Sequence, residues 1–423
     1  MNAVRRIAML SVHTCPLAVL GGKKTGGMNV YVRELSRELG RRGIKVDVFT
    51  RSQNPCIPHI NDSLGENARI IHIPTGPEVP LDPDEVYQYL PEFTENVLAF
   101  VAKEACGYDL IYSHYWLSGL AAHEFRAAWG IPVAQIFHTL GMMKDRIAYE
   151  PAEHPATLRA FSEADIMSWA DRLIVATPAE RAQMLWLYRA DRQKIEVVPP
   201  GVDVTRFRPI PSEIAKQVIG LAPEQRMLLF VGRIEPLKGV DTIFEAMALL
   251  KRDAPQLLDK LSISIIGGDP DSTDDDNKEM ERLKMLRAEL GLSELVVFLG
   301  AKDQDTLNYY YSASEALIMP SDYESFGMVA LEAMASGTPV IASEVGGLAY
   351  LVRDGYTGYL VPVREPQALA EKIRIILEQP EERQRLGLNA HEYAQEYAWP
   401  RITDRLLEIF ESMMPLKRAA SAL

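Results

Sequence analysis

A chain of 423 residues with 47% apolar and 24% charged side chains is too long for one typical core and fits two or three globular domains. Its formal net charge of -13 argues against nucleic acid as a main partner, because phosphate-backbone binding needs a basic footprint. Three widely spaced cysteines, Cys15, Cys56 and Cys106, fit neither a zinc pattern nor a disulfide framework and read as reduced thiols of a cytoplasmic protein.

The opening "MNAVRRIAMLSVHTCP" places two arginines before an apolar run, but Ile7 to Val12 is only six residues and is broken by Ser11. That is too short for a signal-peptide core and reads as a first strand. No segment approaches the roughly 18 apolar residues that cross a bilayer. The helical pattern "MNVYVRELSRELGRRG" follows, then the runs "KVDVFT", "LIYSHYW", "VAQIFHTLG", "RLIVATP" and "IEVVPPGVD". A second series begins with "MLLFVGRI" and continues through "SISIIGG", "LVVFLG", "ALIMPS", "PVIAS" and "GYLVP". Helices such as "GVDTIFEAMALLKR" and "KEMERLKMLRAELG" separate these runs. Alternating strand and helix predicts βαβ units and parallel sheets covered on both faces, so the expected class is α/β with two doubly wound domains.

Prolines 199, 200, 209 and 211 in "VVPPGVDVTRFRPIPS" interrupt both strand and helix and place the boundary there. The expected domains are therefore 1–200 and 201–399, with a helix in 400–423, opened by Pro400, returning to the first. The acidic stretch "GGDPDSTDDDNKEM" reads as a solvated loop. It lacks the glycine and glutamate spacing of a calcium loop, and His13 with Cys15 lacks a second ligand pair for a metal.

In open α/β sheets ligands sit beyond the carboxyl ends of strands, where helix N-termini offer unpaired amides. Three loops qualify. In "GGKKTGGMNVYV", Gly26 and Gly27 precede a helix with Asn29 in its first turn, which permits close approach of a phosphate or sugar and serves equally as a tight turn. In "VGRIEPLKGVD", Arg233 and Lys238 suit a diphosphate, with a solvated loop paired to Glu235 as the plain alternative. In "MPSDYESFGMVALEAMASGTPVIAS", Glu324 lies in the turn and Glu332 eight positions on, inside an apolar helix. Gly327 opens the helix end, and an unpaired carboxylate at Glu332 would be costly there, so a ribose diol would satisfy it. A structural salt bridge is the alternative. "QIFHTLGMMKDR" adds His138, Thr139 and Lys144, and His138 by itself marks neither nucleophile nor base.

In order, these loops resemble the retaining nucleotide-sugar glycosyltransferases of the GT-B fold, the large family numbered 4. The resemblance covers nearly the whole chain and rests chiefly on E-x7-E as "ESFGMVALE", with "GRIEPLKG", "PPGVD" and "GYLV". Within the family, "SVHTCPL", "GGMNVYV" and "SHYWLSG" resemble the inositol-phosphate glycosyltransferase of mycothiol synthesis. "GPEVPLDPDEVYQYLPEF" and "HTLGMMK" resemble bacterial sucrose-phosphate synthase.

The resemblance implies two Rossmann-like domains facing a cleft that closes on its substrates. It implies that Arg233 and Lys238 hold the donor diphosphate, Glu332 the ribose, and Glu324 with the amides of Ser325, Phe326, Gly327 and Met328 the transferred sugar, with Val329 also on the donor side. His138 would contact that sugar near the reacting centre. Asn29, Tyr115, Thr139, Lys144 and Arg159 would face the acceptor, as would Gly27, which would lie against the donor as well. His138, Arg233, Lys238 and Glu324 form the implied catalytic set, with no metal and no cofactor required. Both relatives carry a basic residue where this chain has Pro83 between Asp82 and Asp84, which weakens the case for a phosphorylated acceptor, although Lys144 and Arg159 could still bind one.

The implied activity is retaining transfer of glucose or a related hexose from UDP-glucose to a sugar or polyol. The first expectation is fructose 6-phosphate, giving sucrose 6-phosphate. Inositol phosphate or an unphosphorylated sugar is the alternative. Only small-molecule partners are expected, with no nucleic acid and no membrane span. A phosphorylase or epimerase of the same shape, and a sensor that binds a nucleotide sugar without transfer, are the rivals from other classes.

Overall fold

A computed structural model describes residues 3–18, 26–143, 157–269 and 278–415. Lys144 and the acidic run at 270–277 lie outside them. The described chain forms two units. One comprises residues 3–18, 26–199 and 399–415, and the other residues 200–398.

The first unit is built on β1 (Arg6–Leu10), β2 (Lys45–Arg51), β3 (Ile60–Gly65), β4 (Ala68–Ile73), β5 (Leu110–His114), β6 (Val133–Ile136), β7 (Arg172–Val175) and β8 (Ile195–Val197). Their order in the sheet is β3-β4-β2-β1-β5-β6-β7-β8, with every pair parallel except β3 with β4. The order reverses beside β1, so the carboxyl ends of β1 and β5 flank the switch point where doubly wound sheets bind ligands.

Tyr31, Val32, Leu35 and Leu39 of the helix Gly27–Arg41 pack with Ile402, Leu406 and Phe410 of the helix Trp399–Ser412 over Met9, Val46 and Ile70. The final helix thus completes this unit's core. The opposite face carries Phe93, Val97, Trp116, Phe125 and Ile166, from helices 90–104, 115–129 and 157–169. The run "VAQI" is buried throughout and "RLIV" from Leu173 onward, as strands covered on both faces must be.

The β3–β4 hairpin is absent from the sequence reading. β3 is "INDSLG", mostly exposed and polar, so no apolar run announces it. Asn67 at a φ of 58° makes the turn, and the hairpin gives the sheet its antiparallel edge.

The second unit contains β9 (Arg226–Val231), β10 (Leu261–Ile266), β11 (Val296–Gly300), β12 (Ala316–Met319), β13 (Val340–Ser343) and β14 (Gly358–Val361). They are all parallel in the order β11-β10-β9-β12-β13-β14. The switch falls between β9 and β12, which places the loop after "MLLFV" beside the loop after "ALIM". Ile243, Phe244 and Met247 of the helix Val240–Asp253 pack with Ile373 and Ile376 of Pro366–Glu378 over Leu228, Ile263 and Ile318. No helix among the described residues is long and apolar enough to cross a membrane.

Candidate active site

In the second unit the loops after β9 and β12 are clamped together by backbone. Gly239 has a φ of 63°, and a Cβ there would lie 2.2 Å from the Pro320 carbonyl oxygen, so only glycine lets the helix Val240–Asp253 start against the end of β12. The Asp322 amide donates to the Leu237 carbonyl at 2.9 Å. Lys238 Nζ then meets Glu324 Oε2 at 2.5 Å, with both side chains mostly buried, at 16% and 18% exposure. Arg233 pairs with Glu235 at 2.7 Å and is half exposed, as the plainer reading of that loop has it.

The turn carrying Glu324 rests on Gly346 and Gly347, whose Cβ atoms would lie 2.2 Å from the Glu324 carbonyl oxygen and from Phe326 Cα. The Gly347 amide donates to that carbonyl at 2.8 Å. Gly327, with a φ of 103°, caps the helix Met328–Ala335, whose first amides have no carbonyl of their own helix to bond. Lys238, Glu324 and this helix end therefore converge at one switch point.

Glu332 corrects one premise. Its apolar helix was expected to leave the carboxylate dependent on a ribose diol, but the fold itself supplies partners. Gln304 Nε2 donates to Oε1 at 3.1 Å and Tyr311 OH to Oε2 at 2.9 Å. Tyr311 is fully buried, and burial together with the adjacent carboxylate raises its phenol well above the ordinary value. With these donors in place the carboxylate has protein partners whether or not a ribose is bound.

In the first unit, Asn29 Nδ2 donates to Thr14 Oγ1 at 2.7 Å and to the Cys15 carbonyl at 2.8 Å, and Oδ1 accepts from Gly26 N at 3.0 Å. Asn29 therefore ties the segment after β1 to the helix that Gly27 opens. Cys15 Sγ lies 3.4 Å from His72 Nε2. Among the described residues no three His, Cys, Asp or Glu side chains gather as a metal would need.

Tyr115, Thr139 and Arg159 come together. Arg159 NH1 donates to Tyr115 OH at 3.1 Å, and NH2 to Thr139 Oγ1 at 2.9 Å. Its guanidinium also lies 4.7 Å from the Tyr115 ring centroid. Arg159 Nε is paired at 2.7 Å to Glu163, a fully buried carboxylate that also accepts from Gly141 N and Tyr188 OH. Glu163 and Tyr188 were not singled out in the sequence, although Arg159 and Glu163 four apart on one helix are a readable pair. Asp84 lies near enough to Tyr115 to add, after burial, to the rise of its phenol pKa.

His138 follows β6 with a φ of 63°, a left-handed conformation rare for a side-chain-bearing residue. Its Nε2 lies 3.0 Å from His114 Nδ1, and the two rings are stacked at 16°. Desolvation, with His13 adding to it, pushes the His138 imidazole down to about 3, and burial likewise holds His114 well below its ordinary value. Both are neutral at physiological pH. Sequence gave no sign of this pairing, since His114 lies on a different strand 24 residues earlier.

Tyr31 and Tyr112 share a 2.8 Å hydroxyl hydrogen bond beneath these rings. Burial raises both phenols, and the charge of the buried Glu180 adds to the rise. Glu180 Oε2 accepts from Ala176 N at 2.8 Å in a helix-capping arrangement with Thr177, and desolvation pushes its carboxyl up to about 7 from 4.5. The folded state therefore holds this proton longer than the unfolded chain, and stability falls as pH rises from about 4.5 to about 7. Glu180→Gln keeps the cap and removes the charge. Its melting temperature should exceed that of the unmodified protein most at pH 8, with the gap closing near pH 4. A gap independent of pH would refute the titration.

Two doubly wound units, each with polar side chains and glycine-opened backbone gathered at its switch point, define a GT-B glycosyltransferase of two Rossmann-like domains. The chain belongs to this enzyme class: residues 25–206 match the model "Glycosyltransferase Family 4" and residues 211–393 match "Glycosyl transferases group 1". It is 40% identical over 420 residues to the D-inositol 3-phosphate glycosyltransferase of Saccharomonospora viridis, covering 99% of this chain and 96% of that one. The enzyme of the same name from Nocardia farcinica is 40% identical over 411 residues, covering 97% and 90%. Among solved structures, the sucrose-phosphate synthase of Thermosynechococcus elongatus superposes with a TM-score of 0.88 at 34% identity, covering 97% of this chain and 99% of that one.

Proposed function

We propose that the protein moves a hexosyl group, glucose first among candidates, from a nucleoside-diphosphate hexose such as UDP-glucose to inositol phosphate, retaining the anomeric configuration without a metal. The observation that carries the acceptor is the 40% identity, across 99% of the chain, to a protein named D-inositol 3-phosphate glycosyltransferase. This reverses the order expected from the motifs, which put fructose 6-phosphate first. Fructose 6-phosphate stays as the second reading, supported by the 34% identity to a sucrose-phosphate synthase over nearly the full chain. The gathering of Tyr115, Thr139 and Arg159 supports a polar acceptor under either reading.

In the proposed reaction the acceptor hydroxyl oxygen bonds to the anomeric carbon on the face the donor phosphate leaves. The bond from that carbon to the β-phosphate oxygen breaks, and the leaving phosphate oxygen takes the hydroxyl proton. Lys238, Arg233 and the first amides of the helix Met328–Ala335 stabilise the charge growing on the diphosphate. Glu324 accepts from the sugar hydroxyls and Glu332 from the ribose. No carboxylate is needed as a nucleophile, since the leaving group serves as base.

The test is UDP release from UDP-glucose with inositol phosphate, fructose 6-phosphate, inositol and fructose as acceptors, with the product's anomeric configuration read by NMR. Release stimulated by inositol phosphate, with an α-linked product, is expected. Stimulation by fructose 6-phosphate alone would select the second reading. Donor binding with no transfer to any acceptor would indicate a sensor.

A further inference from the structure

We infer that His114 is a positioning residue which locks His138 into the tautomer protonated at Nδ1, so that His138 meets the substrate as a hydrogen-bond donor and not as a base. The inference rests on the reading that His138 contacts the transferred sugar. It starts from the single 3.0 Å contact between His114 Nδ1 and His138 Nε2. Two neutral imidazoles share one proton there, and each ring carries its other nitrogen in the complementary state.

The surroundings of His114 decide which ring donates. His114 is fully buried, and its Nε2 has no hydrogen-bond partner among the described residues. Its ring is walled by Tyr112 at 4.4 Å and Tyr31 at 5.7 Å between centroids. The two tyrosine hydroxyls bond each other, which engages one of their two protons. If His138 donated, His114 would carry its proton on Nε2 and bury an orphaned N–H. If His114 donates from Nδ1, its Nε2 is a bare lone pair instead. Orphaned buried N–H groups are rarer than under-satisfied acceptors, so the second arrangement is favoured.

The consequence for His138 follows directly. Its only lone pair, on Nε2, is engaged by His114, and its N–H is on Nδ1. Tyr31 also packs edge-on against the His138 ring at 5.3 Å, and the left-handed backbone at His138 sets the direction of the Cα–Cβ bond from which the ring extends. A ring so held cannot take the acceptor proton at Nε2. It can donate to a sugar hydroxyl, which leaves proton removal to the departing phosphate.

The experiment has a readout that does not depend on transfer. In protein carrying 15N-labelled histidine, ring nitrogen shifts and couplings report the tautomer of each imidazole, with His138 assigned by its loss in His138→Gln. The Nδ1–H form of His138 is expected from pH 5 to pH 9, with no titration. Observation of the Nε2–H form, or of an imidazolium in that range, would overturn the inference whatever the acceptor proves to be.

In His114→Leu the His138 tautomer should become mixed, and kcat for donor turnover should fall about 100-fold with donor KM little changed. His114→Asn, whose amide can supply a donor near the Nδ1 position, should restore most of that loss. Equal impairment in both folded variants, with the His138 tautomer unmoved, would make His114 a packing residue only. Failure of the transferase reading would instead appear as absent turnover in the unmodified protein while the ring spectrum stays as expected.

Discussion

Lys238→Ala is expected to lower kcat/KM for hexosyl transfer by about 10²–10³, chiefly through kcat, as loss of one preorganised charge-stabilising group does. Two features make this effect large. Lys238 is only 16% exposed, so its charge acts through a partly dry medium. It also sits on a loop that cannot drift, because Gly239 abuts the Pro320 carbonyl and Asp322 N is bonded to Leu237 O. Its removal further leaves Glu324 without its cation, so a negative charge would then face the departing diphosphate. Arg233→Ala should cost less, because Arg233 is 42% exposed and already shared with Glu235. Steady-state kinetics of both variants, with folding checked by circular dichroism, decide the matter. Near-normal turnover in Lys238→Ala would remove this residue from the leaving-group role.

The second large effect is expected from Gly347→Ala. The added Cβ would lie 2.2 Å from Phe326 Cα and 2.5 Å from the Ser325 carbonyl oxygen, both backbone atoms that no rotamer change can withdraw. The Glu324 turn must therefore move, straining the 2.8 Å bond from Gly347 N to Glu324 O. Displacements on the order of 1 Å at a positioned group cost about 100-fold in rate. Affinity for UDP-glucose should fall about 10-fold to 100-fold by calorimetry, on the scale of about 1.4 kcal/mol per tenfold. Gly107→Ala provides the control, since nothing lies within 4 Å of its Cβ position. Unchanged donor affinity in a folded Gly347→Ala protein would mean that the 324–326 turn is not part of the donor site.

The sheets were legible because both are mostly parallel and covered on two faces. Such strands must be nearly continuous apolar runs, and "IAML", "VAQI", "ALIM" and "VIAS" announce themselves without reference to anything distant. β3 was illegible for the converse reason: an edge strand with its side chains largely in solvent carries no such pattern. The candidate ligand loops could be picked out because glycine and proline mark strand ends. Their chemistry could not be read to the same depth. Glu332 appears unpaired in an apolar helix when only its neighbours in sequence are considered. Its partners Gln304 and Tyr311 lie 28 and 21 residues earlier and reach it through helix packing.

By itself the sequence determined two doubly wound α/β domains, the strand ends that carry the candidate loops, and the glycines on which those loops depend. These follow from local burial, backbone freedom and periodicity, which act over a few residues. Tertiary structure alone decided which charged and polar groups meet. Lys238 reaches Glu324 across 86 residues because β9 and β12 are neighbours at the switch point. His114 reaches His138 because β5 lies beside β6. Strand order is set by how the whole chain buries its apolar faces, and no local stretch encodes it.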